Sequence, residues 1–583
     1  MPAKTSPDPL ALSRRELLLL GASTLASASL HKSRVADAAA LAPNVAVAAN
    51  GMVASVHPLA TDAGVAALRR GGNAVDAAIA TALTLGVVDG HNSGVGGGCF
   101  ILIRRADGQF AAIDGRETAP AAATRDMYLK NGQPQGEWSV TGPLAVGTPG
   151  ALAAYELALK NHGALKLPDL LLPAAEIAEH GFALDRIYAR NIKSSQKALT
   201  KYPASASLLL KDDGSPKLEG DIVKQPDLAR TYLQIAEHGV SWFYKGDLAQ
   251  AVGKWMKENG GILTAEDFAK YQPLLRQPLK STYRGRTIVG FPPPSSGGVH
   301  VAQILNILEN FDLKSIHEKS PGEFTHIVAE AMKLAFADRA YWLGDPAFAK
   351  VPRGLIDKNY AKDLAAKINP AHLIKVPQQG QPPAWQSDVF SKHTTHIATA
   401  DAAGNWVALT QTINTSFGSK VIVPGTGVFL NNEMDDFSIA PGKPNAFGLI
   451  GAEANAVAPL KRPLSSMSPT IILEGDQPVM TLGAAGGPTI ISQVLLAIVR
   501  RFDLGFSLED SLAQPRFHHQ WSPDELRIET AAADDFKKDL EARGHKLKAV
   551  AAIGTAQGIV WDERAKHYRG AHDPRVPGKA AGP

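Results

Sequence analysis

Between Ser391 and Ser419 the sequence reads SKHTTHIATADAAGNWVALTQTINTSFGS, two alternating runs about a turn that contains Gly404. Pairing the runs around Ala403, with a five-residue turn from Asp401 to Asn405, sets Thr394 opposite Thr412 and His396 opposite Thr410. Asn414 shares their face by the two-residue strand period. Facing residues of an antiparallel pair have β-carbons about 4.5–5.5 Å apart, so the two threonine hydroxyls come within reach of each other. A hydroxyl steadied by a second hydroxyl can serve as a nucleophile, but it is also an ordinary cross-strand pair, and the hairpin alone leaves both readings open. A slip of one residue would part the threonines onto opposite faces.

Other chemistries fit the sequence less well. The stretch HNSGVGGGCF, His91 to Phe100, has Cys99 where a dinucleotide fingerprint needs its third glycine, and it leads into a strand where a phosphate loop must open a helix. It reads as a tight turn with close backbone packing. There is no H-E-x-x-H, and one cysteine cannot build a thiolate zinc site. The adjacent His518 and His519 point in opposite directions if extended, which argues against a shared metal. No G-x-S-x-G elbow supports a serine hydrolase of the α/β type.

Several elements must position these residues. Residues 44–89 read as a strand followed by helices around a break at Gly71 and Gly72. The middle third is helix-rich, with PDLLLPAAEIAEHGF and FTHIVAEAMKLAFADRAYWLGDP carrying apolar residues at three- and four-residue spacing. Glu330, Lys333, Asp338 and Arg339 read as a solvated or ion-paired face of the second of these helices. GFPPPSSGGVH, Gly290 to His300, ends a strand before a helix. From Lys392 onward strands alternate with Gly-rich turns before helices return, and residues 440–466 form a long Gly- and Pro-rich loop of the kind that serves as a lid.

The chain has 583 residues, 45% hydrophobic and 20% charged, an ordinary globular balance that leaves the domain count open. At the N-terminus Arg14 and Arg15 precede an apolar run from Leu17 to Leu30, followed by the small residues Ala36, Ala38 and Ala40. That order resembles a twin-arginine signal peptide, residues 1–40, and the run is too short to span a bilayer. Its removal takes away five basic and three acidic side chains, so the net charge falls from +4 to +2, no basis for binding nucleic acid. Cys99 is the only cysteine, so stability must come from the core and not from intramolecular disulfides.

TTHIATADAAGNWVALTQTIN, LNNEMDDFS, KRPLSSMSPT, GAAGG and QPRFHHQW, in that order, resemble the γ-glutamyltranspeptidase family of N-terminal nucleophile hydrolases. Upstream, NAVDAAIA, SGVGGGCF, DGRETAP, PPPSSGG and EAMKLAFADRAYWLGDP extend the resemblance to roughly residues 44–575. It implies an α+β fold, a four-layer α-β-β-α sandwich formed by two subunits cut from one precursor. The cut would fall between His393 and Thr394, giving a large subunit of residues 41–393 and a small subunit of residues 394–583 woven into one unit. Thr394 is then the nucleophile, its new α-amine the base, and Thr412 the residue that orients it. Gly486 and Gly487 match the oxyanion-hole glycines.

For the γ-glutamyl group, the resemblance implies that Arg116, with Ser465 and Ser466, holds the α-carboxylate. Asn414, Glu433 and Asp436 would accept from the α-ammonium. Glu433 stands where many bacterial members carry Gln, and Phe447 where a lid tyrosine is common. No metal or organic cofactor is implied. The implied substrates are glutathione and other γ-glutamyl compounds, with water or an amino acid or peptide amine as acceptor, in the periplasm. Two alternatives are an acylase on the same fold that cleaves a glutaryl-type side chain and a non-catalytic exported γ-glutamyl-binding protein. A buried Asp436 facing no cation would be costly, which favours an amino-acid-like donor.

Overall fold

The structure is a computed structural model that describes residues 44–383 and 396–583. Strand Trp406–Thr412 shows how the sequence builds the core, since every residue of it is buried. Trp406 and Ala408 pack into one apolar cluster and Val407 and Leu409 into another, so this strand has a core on each face. It pairs with strand His396–Asp401 on one side and Gly98–Arg104 on the other, at the centre of a seven-stranded antiparallel sheet. The order in that sheet is Lys579–Ala581, Gly51–Ser55, His396–Asp401, Trp406–Thr412, Gly98–Arg104, Phe110–Gly115 and Leu274–Arg276.

A second seven-stranded antiparallel sheet runs Val45–Ala48, His567–Ala571, Thr555–Asp562, Gln477–Ala485, Thr470–Glu474, Arg286–Gly290 and Leu279–Tyr283. Phe100, Phe291, Ala398, Ala408, Ile471 and Ile559 interdigitate between the sheets. Small residues let the layers approach: a β-carbon on Gly483 would overlap the ring of His396 from the opposing sheet. Helices Ala74–Val88 and Ala151–His162 cover the outer face of the first sheet, and Leu167–His180 packs on Ala74–Val88. Ser296–Leu308 and Thr489–Phe502 cover the outer face of the second, and Pro321–Trp342 packs on Ser296–Leu308. The four-layer α-β-β-α order is therefore present. Both sheets draw strands from before residue 384 and after residue 395, and residues Asn44–Pro583 form one compact unit.

Local signals explain the helix boundaries. Asn73 caps Ala74–Val88 and Asp76 returns a bond to the Asn73 N–H. Ser320 caps Pro321–Trp342, whose first residue is proline, and Ser295 caps Ser296–Leu308 after the proline turn. The expected strand at the start of residues 44–89 is in fact two: Val45–Ala48 joins one sheet and Gly51–Ser55 the other. Gly51, at φ 139, makes the corner. The signal-peptide expectation for residues 1–40 lies outside the described residues. Among the described residues no helix is long and apolar enough to cross a membrane.

Candidate active site

The hairpin has the register its turn demands: His396 faces Thr410 and Ala400 faces Trp406, with Gly404 at φ 91 in the connection. His393, Thr394 and Thr395 lie outside the described residues. Thr412 closes its strand opposite Gly98, and its Oγ1 accepts the Asn414 N–H at 2.7 Å. The two-residue period does not carry as far as Asn414, because the strand ends at Thr412 and Asn414 takes φ 75. Asn414 stays beside the hairpin because its Nδ2 donates to the Asn432 carbonyl at 2.9 Å. His396 Nδ1 lies 3.3 Å from Thr410 Oγ1, and burial takes its pKa down to about 3, so it is neutral near pH 7.

Beside this strand end lies a buried charge cluster. A β-carbon on Gly98 would overlap the Glu117 carboxylate, and Glu117 Oε2 accepts from Arg116 Nη1 at 3.2 Å. Arg116 is fully buried; it also pairs with Glu433, and its Nη2 donates to Asp436 Oδ2 at 2.5 Å. Burial works against the guanidinium, but Glu433, Glu117 and Asp436 outweigh it and hold Arg116 protonated. The cost falls on the acids. Burial pushes Glu433 well above the usual carboxylate range, with Arg116 opposing and Glu117 and Asp436 adding to the rise. Arg116 is thus the shared partner of three carboxylates.

Asparagines lock the loop that carries these acids. Asn431 Oδ1 accepts the Gly147 and Glu433 N–H groups, and its Nδ2 donates to the Gly96 and Gly147 carbonyls. Asn455 donates to the Asp436 carbonyl at 2.7 Å and accepts the Leu464 N–H at 2.9 Å, tying this loop to the segment that leads into Ser465. Ser465 and Ser466 are fully buried. The Ser465 carbonyl accepts the Ser296 N–H at 2.8 Å, and Ser466 Oγ accepts from Arg339 Nη2 at 3.2 Å.

Gly486 and Gly487, at φ 132 and 59, end strand Gln477–Ala485 just before helix Thr489–Phe502. Those backbone angles suit glycine, and the positive end of a 14-residue helix follows at once. Neither N–H has a hydrogen-bond partner among the described residues. A β-carbon on Gly487 would lie 2.8 Å from the ring of Phe447, so this residue of the 440–466 loop covers the glycines. The loop is pinned from both sides: Asp435 Oδ2 accepts the Ala446 N–H at 3.0 Å, and Gln520 Nε2 donates to the Gly448 carbonyl at 3.1 Å.

A profile described as Gamma-glutamyltranspeptidase matches residues 60–583. The chain belongs to the γ-glutamyltranspeptidase family. A glutathione hydrolase proenzyme of Escherichia coli K12 is 44% identical over 531 residues, covering 91% of each chain. An acylase ACY 1 proenzyme of Pseudomonas sp. strain SE83 is 39% identical, covering 85% of this chain and 87% of its own length. The crystal structure of cephalosporin acylase from Bacillus halodurans superposes with a TM-score of 0.82 at 30% identity, covering 93% of this chain and 97% of that one. The family resemblance and the four-layer fold expected from the motifs are both borne out.

Arg116, Glu433 and Asp436 are in direct contact, and the other matched positions that are described join them through Gly98, Asn432, Asn455 and the 440–466 loop. Motif matching did not single out Glu117, although it adjoins Arg116 in DGRETAP. The expected face of Glu330, Lys333, Asp338 and Arg339 is not solvated, since all four side chains are buried. Its ion-paired part holds for Lys333, which lies 2.9 Å from Asp524 Oδ1. Glu330 also pairs with Lys333, at 3.6 Å, and accepts the Ile374 N–H at 2.7 Å, while Asp338 accepts the Gly380 N–H at 2.6 Å. His518 meets Ser492 and Gln520 while His519 meets Asp524, so the two rings have separate partners.

Proposed function

We propose that this family member is a self-cleaving γ-glutamyltransferase and glutathione hydrolase whose nucleophile is Thr394. The observation that carries the donor assignment is Arg116 buried among Glu117, Glu433 and Asp436 beside the Thr412 strand end. A γ-glutamyl group brings an α-carboxylate and an α-ammonium, and this cluster supplies both complements. The first reaction is on the chain itself: Thr394 Oγ attacks the His393 carbonyl, the amide nitrogen leaves as the α-amine of Thr394, and water hydrolyses the resulting ester. That amine, with a reference pKa of about 8, is partly neutral at pH 7 and takes the hydroxyl proton in each later turnover.

Thr394 then attacks the γ-carbonyl of the donor. The oxyanion develops against the Gly486 and Gly487 N–H groups, and the leaving amine takes up the proton that the Thr394 α-amine accepted from its hydroxyl. The γ-glutamyl ester passes to water, giving glutamate, or to an amino acid or peptide amine, giving a new γ-glutamyl amide. Thr412 accepts the Asn414 N–H, so its own hydroxyl hydrogen is directed elsewhere and can orient Thr394. We assign residues 41–393 and 394–583 to large and small subunits that remain together as a heterodimer through their shared sheets, and residues 1–40 to export into the periplasm by the twin-arginine route.

Glutamate release from glutathione by the wild-type protein and by Asp436→Ala tests this reading. Wild-type release, lost by a factor of ~100 or more in the variant, supports it. The second reading, a glutaryl acylase, has the named acylase relatives in its favour. Equal turnover of glutaryl and γ-glutamyl amides by the wild type would support it over ours.

A further inference from the structure

Helix Thr489–Phe502 starts beside Gly486 and Gly487, and its last turn borders a cleft of about 360 Å3. The rings of Phe324, Phe506, Phe517 and Phe536 line the cleft, and no carboxylate does. Arg500, in that last turn, lines it too and is 6% exposed. The volume falls among those of small-molecule sites, roughly 300–1,000 Å3, and the lining has their character, mostly apolar and aromatic with a few polar groups. Arg500 stands roughly 16 Å along the helix from Thr489, at about 1.5 Å per residue, so the cleft is separate from the glycines of the active site.

The cleft is also positively charged. Arg516, the other guanidinium in its lining, is paired with Asp573, and the neighbouring Glu529 is paired with Arg575. Among the described residues no carboxylate pairs with Arg500. Its Nη1 donates to the Ser511 carbonyl at 3.1 Å and its Nη2 to the Pro515 carbonyl at 2.5 Å, partners without charge, while its Nε has no hydrogen bond to a described residue. Burial lowers its pKa to about 9, with Arg516 and Arg575 adding to the drop and Glu529 opposing it, so it stays protonated near pH 7. His317, the third ionisable group of the lining, is held below its ordinary value by burial and by Arg500 and is neutral there. A buried cation without a counter-ion favours an anion in contact with it.

We propose that this cleft binds a small aromatic carboxylate, with its ring among the four phenylalanines and its carboxylate on the Arg500 guanidinium. Phenylalanine faces and edges suit a planar arene. The carboxylate accepts from the guanidinium nitrogen that the main chain leaves free, a charge-assisted bond in a water-poor site. A neutral arene of the same shape fills the cleft without meeting that charge. The site is independent of the γ-glutamyl reading and of the reaction at Thr394.

Calorimetric titration of the purified protein with 2-naphthoate and with 2-naphthamide, its neutral counterpart, tests this in wild type, Arg500→Gln and Phe536→Ala. Wild type should bind the carboxylate ~10-fold or more tighter than the amide, the size of one charge-assisted hydrogen bond. Arg500→Gln should weaken only the carboxylate and bring the two within about 3-fold of each other. Phe536→Ala, at a half-buried position, should weaken both alike, by ~5-fold or more. Should Arg500→Gln fail to fold, because its Nη groups hold the Ser511 and Pro515 carbonyls, the wild-type preference and the Phe536→Ala loss carry the test. No binding of 2-naphthoate, equal affinity for the two compounds, a preference that survives Arg500→Gln, or affinities unmoved by Phe536→Ala would overturn the proposal.

Discussion

Thr412 Oγ1 accepts the Asn414 N–H at 2.7 Å, and this bond fixes which way the threonine hydroxyl can donate. Thr412→Val keeps the β-branched shape but leaves a half-buried N–H without its partner, a loss of about 1–3 kcal/mol. The variant should fold, cut itself more slowly and lose about 10- to 100-fold in kcat, measured by single-turnover cleavage and steady-state donor hydrolysis. Thr412→Ser, which keeps the hydroxyl, should stay within a few-fold of wild type.

Gly487 sits under the ring of Phe447 at φ 59. Gly487→Ala therefore meets two obstacles, the ring 2.8 Å from the new β-carbon and the left-handed backbone. On the proposed oxyanion role, turnover should fall by ~100-fold or more. Phe447→Ala in the same chain removes the ring but not the backbone strain, so it should restore thermal stability in part and kcat little. Full recovery of kcat in the double variant would mean that the glycine is needed only for lid packing.

Burial raises the Asp435 carboxyl to about 6. A folded-state pKa above the unfolded value favours the protonated fold, so this contribution is complete below the unfolded pKa and is lost as pH rises through about 6. Asp435→Asn cannot ionise. The stability of wild type relative to this variant should decline by on the order of 2 kcal/mol between pH 4 and 7, read from denaturant midpoints. A constant difference over that range would contradict the assignment.

Glu433 is also pushed up by burial, and an ammonium entering the cluster favours its charged form. Donor binding should therefore release a proton, and the KM for a γ-glutamyl donor should fall as pH rises through the raised Glu433 pKa. Glu433→Gln should flatten that limb of the pH profile. A glutaryl donor, which lacks the ammonium, should not show it in either protein.

The sequence makes the hairpin register legible because the turn around Gly404 and the two-residue period both constrain it. It makes the wrapping of long helices legible through their spacing, as in Leu167–His180. Asn414 was beyond that reach: its left-handed backbone and place beside Thr412 depend on Asn432, a tertiary contact with no local signal. The same limit hid the burial of Arg339. Helix Pro321–Trp342 is buried nearly all round, so periodicity could not separate a solvated polar face from an enclosed one. The split of Val45–Ala48 and Gly51–Ser55 between two sheets was equally hidden, because strand pattern does not say which sheet a strand joins.

The central claim is that Thr394 becomes an N-terminus. Intact-mass measurement and N-terminal sequencing of the purified protein, beside Thr394→Ala, test it directly. The account predicts two polypeptides from the wild type, the smaller beginning at Thr394, and a single uncut, inactive chain from the variant. An uncut wild type that hydrolyses glutathione, or a variant cut at the same bond, would contradict it.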